Sequence, residues 1–114
     1  GGHLLSGHVH GQVELLAINK PENNCILWFS LPGEFCEYVL PKGYIGLNGC
    51  SLTIGEVRGD RFCVYLIPET LRITTFGELA IGDQINLEID SQTQAVVDTV
   101  KRMALSGQLS KLLA

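Results

Sequence analysis

The sequence predicts an all-β protein: a small six-stranded closed Greek-key barrel with short helical turns and a C-terminal helix. Three observations lead there. About six short apolar runs, several alternating with period two, are strung along 114 residues. The 13 glycines, richer than the usual ~7% of a globular chain, sit between those runs, as turns between strands do. From Ser91 onward the apolar period lengthens to that of a helix. A closed barrel is expected rather than a two-sheet sandwich, because so few strands would leave a sandwich with two unprotected edges.

Val9, Gly11, Val13, Leu15 and Ala17 alternate with His8, His10, Gln12, Glu14 and Leu16, the pattern of a half-buried strand. Lys20-Pro21-Glu22-Asn23-Asn24 is turn chemistry, Pro fixing φ and Asn tolerating left-handed backbone. Cys25-Ile26-Leu27-Trp28-Phe29 follows as a strand apolar on both faces, expected to be buried on both. Phe35, Tyr38 and Val39 stand at i, i+3 and i+4, so one or two helical turns are expected over residues 34–40, ended by Pro41. Residues 44–47 read as a short strand and Asn48-Gly49 as a hairpin turn. Residues 50–57 read as a strand with Ser51 and Thr53 on one face and Cys50, Leu52 and Ile54 on the other. Arg58-Gly59-Asp60-Arg61 contains a cell-adhesion tripeptide, but between two strands it reads as a two-residue hairpin loop with Gly59 at positive φ. Residues 62–67 form the next strand, residues 69–75 a helical turn after Pro68, and residues 84–89 a last alternating strand behind Gly82-Asp83. Ser91 and Gln94 have capping-box spacing. Val96, Val100 and Met103 continue one helical face, Ser106-Gly107 frays or breaks the helix, and Leu109, Leu112 and Leu113 restart an apolar set. A lone apolar helix needs something to pack against, either its own barrel or a neighbouring subunit.

At 46% hydrophobic and 18% charged, the chain can build a core and is not disordered. Its net charge is −4 and its 8 Lys and Arg are scattered, leaving no basic stripe for a nucleic acid backbone. Its longest apolar stretch is far below the ~20 residues needed to cross a bilayer. No cationic-then-apolar leader opens it, so a cytoplasmic protein without a membrane partner is expected. The chain starts without Met on Gly1-Gly2-His3, in the manner of a piece excised from something longer.

The 4 cysteines, Cys25, Cys36, Cys50 and Cys63, include no Cys-x-x-Cys pair. That argues against a zinc site and for free thiols acting as small hydrophobes. His8 and His10 share a strand face at i, i+2, two ligands toward a metal with no convincing third nearby. Surface or backbone-bonded imidazoles are the plainer reading, with His10 incidental. Ser51 and Thr53 are neighbouring hydroxyls serving either a site or ordinary cross-strand hydrogen bonding. Glu88 and Asp90 share a face at i, i+2, and Asp90 is either a ligand group or the acidic start of the helix, where the helix dipole favours it. The chain holds no serine nucleophile elbow, phosphate-binding glycine loop or dinucleotide fingerprint.

Four strings gain weight from their order. Gly1-Gly2-His3-Leu4-Leu5-Ser6-Gly7-His8-Val9 opens the chain, and Lys42-Gly43-Tyr44-Ile45-Gly46-Leu47-Asn48-Gly49-Cys50-Ser51-Leu52-Thr53-Ile54 lies at its middle. Ile67-Pro68-Glu69-Thr70-Leu71-Arg72-Ile73-Thr74-Thr75 and Gly82-Asp83-Gln84-Ile85-Asn86-Leu87-Glu88-Ile89-Asp90 complete the set. Together they resemble the C-terminal barrel of the riboflavin synthase family, over nearly the whole chain.

The resemblance implies a full chain of two similar barrels, with residues 1–90 the second lumazine-binding barrel and residues 91–114 a C-terminal trimerisation helix. It implies a transferase that dismutates two 6,7-dimethyl-8-ribityllumazine molecules to riboflavin and a ribitylaminopyrimidinedione, with no cofactor and no metal. It places the site between this barrel and the N-terminal barrel of another subunit in a homotrimer, each barrel holding one lumazine. Carried over by motif, the substrate contacts are Gly7, His8 and Val9, then Lys42, then Ser51, Leu52 and Thr53. Leu66, Ile67, Pro68, Glu69, Thr70 and Leu71 follow, and Asp90 completes the pocket. Ser51, Asp90 and His8 are the groups expected to relay protons. His10 stands where an acidic residue is often found in the family. The resemblance implies that this piece alone has little synthase activity, because it carries one of two half-sites. The alternative on the same architecture is a non-catalytic fluorescent antenna that only binds a lumazine, and a bare structural barrel is the third reading.

Overall fold

A computed structural model of the chain describes residue 5 and residues 7–22, 24–73, 75–107 and 111, with backbone alone at 71–73 and 75. Strands β1 (Gly11–Asn19), β2 (Cys25–Ser30), β3 (Tyr44–Leu47), β4 (Cys50–Arg58), β5 (Arg61–Leu66) and β6 (Gln84–Ile89) close into a barrel in the order β1-β2-β5-β4-β3-β6. Every neighbouring pair is antiparallel. Helix α1 (Pro68–Ile73) bridges toward β6, and α2 (Ser91–Ser106) follows it. The period change at residues 34–40 is a 3-10 turn over Gly33–Tyr38.

Alternation fills the interior. Val13 and Leu15, Leu27 and Phe29, Ile45 and Leu47, Leu52 and Ile54, Phe62 and Val64, and Ile85 and Leu87 all point inward and are buried. The Phe29 and Phe62 rings stack at the centre with centroids 5.5 Å apart, a pairing worth ~1 kcal/mol beyond the area it buries. Phe35, carried by the 3-10 turn, joins the same core. Asn48 and Gly49 both take positive φ in the β3–β4 hairpin, and Gly59 takes φ +59 in the β4–β5 loop, so the Arg-Gly-Asp string is a hairpin turn.

Three local expectations are corrected. The first strand begins at Gly11 rather than near Val9, because the Ile89 N–H, which the ladder would offer to that strand, goes to the His10 Nδ1 at 3.0 Å. On β2 only the Cys25, Leu27 and Phe29 face is buried; Ile26 and Trp28 are half-buried, and Arg58 lies 5.5 Å over the indole. The helix cap is Asp90 and not Ser91, its Oδ2 accepting the Thr93 N–H at 3.0 Å.

Helix α2 ends at Gly107, in left-handed conformation with φ 79. The apolar set at Leu109, Leu112 and Leu113 lies outside the described residues. Among the described residues, α2 buries none of its own side chains. It is tied to the 3-10 turn by polar contacts: the Tyr38 hydroxyl donates to the Asp98 carboxylate, and the Lys101 Nζ meets Glu37 Oε2 at 2.8 Å. The Asp98 bond holds the Tyr38 phenol above its usual range, and Glu37 does the same for the Lys101 ammonium. Val96 and Val100 stay exposed and Met103 half-buried. A helix of 16 residues is about 24 Å long, which accounts for a molecule extending 49 × 26 × 22 Å. Among the described residues no helix is long and apolar enough to cross a membrane.

Candidate ligand-binding site

Strand register places the polar candidates on the outside of the barrel. With Leu52 and Ile54 buried in the core, Ser51 is half-buried and Thr53 exposed on the opposite face of β4. Pairing sets Ser51 beside Gly46 and Gly46 beside Glu88, making one rung across β4, β3 and β6. The next rung pairs Thr53 with Tyr44, and continuing the β3–β6 register brings Asp90 alongside Tyr44. Tyr44 and Asp90, 46 positions apart in sequence, thus share one patch.

Gly46, buried beneath Leu5, stands in the middle of the patch. A Cβ there would lie 2.8 Å from the Leu5 Cδ2 and 3.1 Å from the Glu88 Cβ, so the glycine is what lets Leu5 lie against the sheet. Residues 7–10 border the same patch. Gly7 takes φ +81, which residues with a Cβ reach only with strain. Its N–H donates to the Glu88 Oε1 at 3.0 Å. His10 donates its own N–H to the Leu87 carbonyl at 2.8 Å and accepts from Ile89. His8 stands edge-on to His10 with ring centroids 4.8 Å apart, and Val9 is exposed.

On the far side, β4 and β5 separate. Their pairing runs through Arg58–Arg61, Val57–Phe62 and Ile54–Val64, but it does not continue to the strand ends at Cys50 and Leu66. A seam therefore runs between the main chain of residues 51–53 and that of residues 65–67. The exposed Tyr65 and Ile67 stand on its β5 side. Leu66 turns inward to the core, Pro68 and Glu69 are exposed, and Thr70 is half-buried. The Leu71 side chain lies outside the described residues.

Lys42 occupies a second wall. The Gly43 N–H reaches the Leu40 carbonyl at 2.9 Å, closing a turn with Pro41 at its second position and Lys42 at its third. That turn needs positive φ at the third position, and Lys42 supplies it with φ 68. A non-glycine residue held there stores roughly 1–2 kcal/mol, and such strain concentrates at functional sites. Lys42 and Tyr44 line a cleft of about 340 Å³ together with Asp90, Thr93 and Val96 at the start of α2. Asp90 is buried and anchored, its Oδ2 also accepting the Thr93 hydroxyl at 2.8 Å. It serves as the acidic start of the helix and as a wall of the cleft at once.

Gly7, His8, Val9, Lys42, Ser51, Thr53 and Asp90 therefore gather around one outer face. Leu52 and Leu66 border it through main chain alone, their side chains being core. Sequence reasoning passed over Tyr44, Gly46 and Glu88 as site residues, and it took His10 as incidental. The Glu88–Asp90 spacing and a glycine inside a strand were the available signals. Among the described residues no three His, Cys, Asp or Glu side chains come together to hold a metal ion.

The lumazine binding domain family matches residues 6–90. The chain is 53% identical to the riboflavin synthase of Escherichia coli strain K12 over 104 residues, 90% of this chain and 49% of that protein. It is 47% identical to the riboflavin synthase of Chlamydia pneumoniae over 107 residues, 94% of this chain and 52% of that protein. It thus spans about half the length of the curated relatives it matches. Among solved structures it is similar to LumP complexed with 6,7-dimethyl-8-(1'-D-ribityl) lumazine, with TM-score 0.71 and 28% identity over 77% of this chain and 49% of that one. LumP complexed with riboflavin gives TM-score 0.72 at 28% identity, over 78% of this chain and 48% of that one.

Proposed function

This chain belongs to the lumazine-binding domain family, and we propose that it is the C-terminal half-site of a cytoplasmic riboflavin synthase. One 6,7-dimethyl-8-ribityllumazine lies against the outer face of β4, β3 and β6. The observation that carries this reading is the gathering of Ser51, Gly46 and Glu88 in one rung beside Thr53, Tyr44 and Asp90. The seam between residues 51–53 and 65–67 offers main-chain N–H and C=O groups to the uracil-like edge of the ring. The Ser51 and Thr53 hydroxyls and the Lys42 ammonium bond ribityl hydroxyls or ring oxygens, and residues 7–9 close the other side.

In the assembled enzyme the second lumazine sits on the N-terminal barrel of a neighbouring subunit in a homotrimer. The exposed Val96 and Val100 face of α2 packs against other copies there. The reaction removes a methyl proton from one lumazine, adds a nucleophile to the other, and moves a four-carbon unit between them, the nucleophile being expelled and the proton returned before the products separate. Riboflavin and 5-amino-6-ribitylaminopyrimidinedione leave, without metal or organic cofactor. Holding two substrates face to face supplies much of the acceleration, since effective molarity is worth ~7–11 kcal/mol. Ser51, Asp90 and His8 relay protons at the edges of the stacked rings, each step worth ~10²–10⁴-fold.

The likeness to LumP supports a second reading, a lumazine holder without turnover. Riboflavin formation, followed by absorbance, separates the two. The chain supplied with the missing barrel is expected to turn over, and the chain alone to bind without turning over. Binding without turnover in both cases favours the holder.

A further inference from the structure

Resting on the reading above, we propose that His10 is a positioning residue whose neutral imidazole clips residues 7–10 to β6, making lumazine affinity pH-dependent. A backbone N–H only donates, so the His10 Nδ1 at 3.0 Å from the Ile89 nitrogen is the acceptor. The ring is therefore neutral, with its proton on Nε2. This bond stands where the β1–β6 ladder would otherwise continue past the Gly11–Leu87 pair. A side chain has replaced the strand's own carbonyl and turned the segment off the barrel wall.

Bonds that hold the segment include three: His10 N–H to the Leu87 carbonyl, Ile89 N–H to the His10 Nδ1, and Gly7 N–H to the Glu88 Oε1. Two of the three acceptors are titratable side chains. Protonation of Nδ1 sets N–H against N–H, and that bond is lost. Among the described residues, His8 faces the ring edge-on at 4.8 Å, and the Glu88 carboxylate accepts from Gly7 in the same segment. Across the rung, Gly46 on β3 presents no side chain, and the Asp90 carboxylate is engaged by Thr93. The segment that His10 holds carries Gly7, His8 and Val9 to the lumazine face.

The test uses this chain with 6,7-dimethyl-8-ribityllumazine, titrated by fluorescence between pH 8 and 5.5, in wild type, His10→Asn and His10→Ala. The Asn side-chain oxygen reaches the Nδ1 position and does not titrate. Wild-type affinity is expected to fall about five- to tenfold across the range, the scale of one lost hydrogen bond. His10→Asn keeps wild-type affinity at pH 8 and stays flat, and His10→Ala is weak throughout. A parallel fall in wild type and His10→Asn overturns the proposal, as does an imidazole ¹⁵N spectrum showing the proton on Nδ1 at pH 8. If wild type binds no lumazine at any pH, the functional reading fails separately. Amide exchange at Ile89 then decides the clip without ligand: faster exchange in His10→Ala than in His10→Asn supports it, and equal rates overturn it.

Discussion

Lys42→Gly separates what the turn at residues 40–43 costs the fold from what it gives the site. Lys42 sits at φ 68 in a turn closed by the Gly43–Leu40 hydrogen bond of 2.9 Å. Left-handed backbone costs a residue with a Cβ roughly 1–2 kcal/mol. Glycine removes that cost but loses ~0.5–1 kcal/mol more conformational freedom on folding. The balance is a gain of about 0.5–1 kcal/mol, or a rise of ~2–5 °C in Tm for a domain of this size. The same change deletes the ammonium on the wall of the cleft, and a hydrogen bond from a charged donor is worth ~1.5 kcal/mol or more. Lumazine affinity is therefore expected to drop about tenfold. Thermal melts read by Trp28 fluorescence and lumazine titrations on the same samples give both numbers. Lys42→Ala is the control, expected to lose affinity without the gain in Tm. A Lys42→Gly protein that melts no higher than Lys42→Ala would refute the strain argument, and one that binds as wild type would remove Lys42 from the site.

Gly46→Ala puts a Cβ 2.8 Å from Leu5 and 3.1 Å from Glu88; it is expected to weaken lumazine binding at least fivefold while costing only ~1 kcal/mol in urea unfolding. Of the four free thiols, Cys36 is exposed and Cys25 and Cys63 buried, and burial pushes the Cys25 thiol up from its ordinary value. A thiol reagent followed by mass spectrometry is expected to label Cys36 first and Cys25 only on unfolding. Since the Asp98 bond raises the folded-state pKa of Tyr38, that contact is fully present below the unfolded phenol value near 10 and is lost as pH rises through the folded one. Amide exchange in α2 should therefore accelerate above pH ~10 in wild type, with Tyr38→Phe already showing the faster rate at neutral pH.

Most of the fold was legible because period and turn chemistry agree at each element. Val13 and Leu15, Leu52 and Ile54, and Ile85 and Leu87 alternate as half-buried strands must, and Asn48-Gly49 and Gly59 supply the backbone conformations their hairpins need. The start of β1 was hidden because a side-chain acceptor, His10 Nδ1, ended the ladder that alternation alone would extend to Val9. The helix cap was misplaced by one residue because Asp90 and Ser91 are both good caps, and only geometry shows which carboxylate or hydroxyl meets Thr93. Ser51, Thr53, Lys42 and Asp90 were named in advance, yet their gathering depends on register across β4, β3 and β6, which local sequence does not encode. Gly46 and Glu88 matter for the same reason: a strand glycine gains its role from the Leu5 and Glu88 atoms packed against it.

The central claim is that the outer face of β4, β3 and β6 holds one lumazine. Backbone amide shifts of the labelled chain, followed as 6,7-dimethyl-8-ribityllumazine is added, test it most directly. The account predicts one ligand per chain, with the largest shifts at Gly7, His8, Ser51, Thr53 and Ile67, and little change at Phe76 or Leu79, which line a small separate cleft beside Cys25. Shifts centred on Phe76 and Leu79, or no saturable change at millimolar ligand, would contradict it.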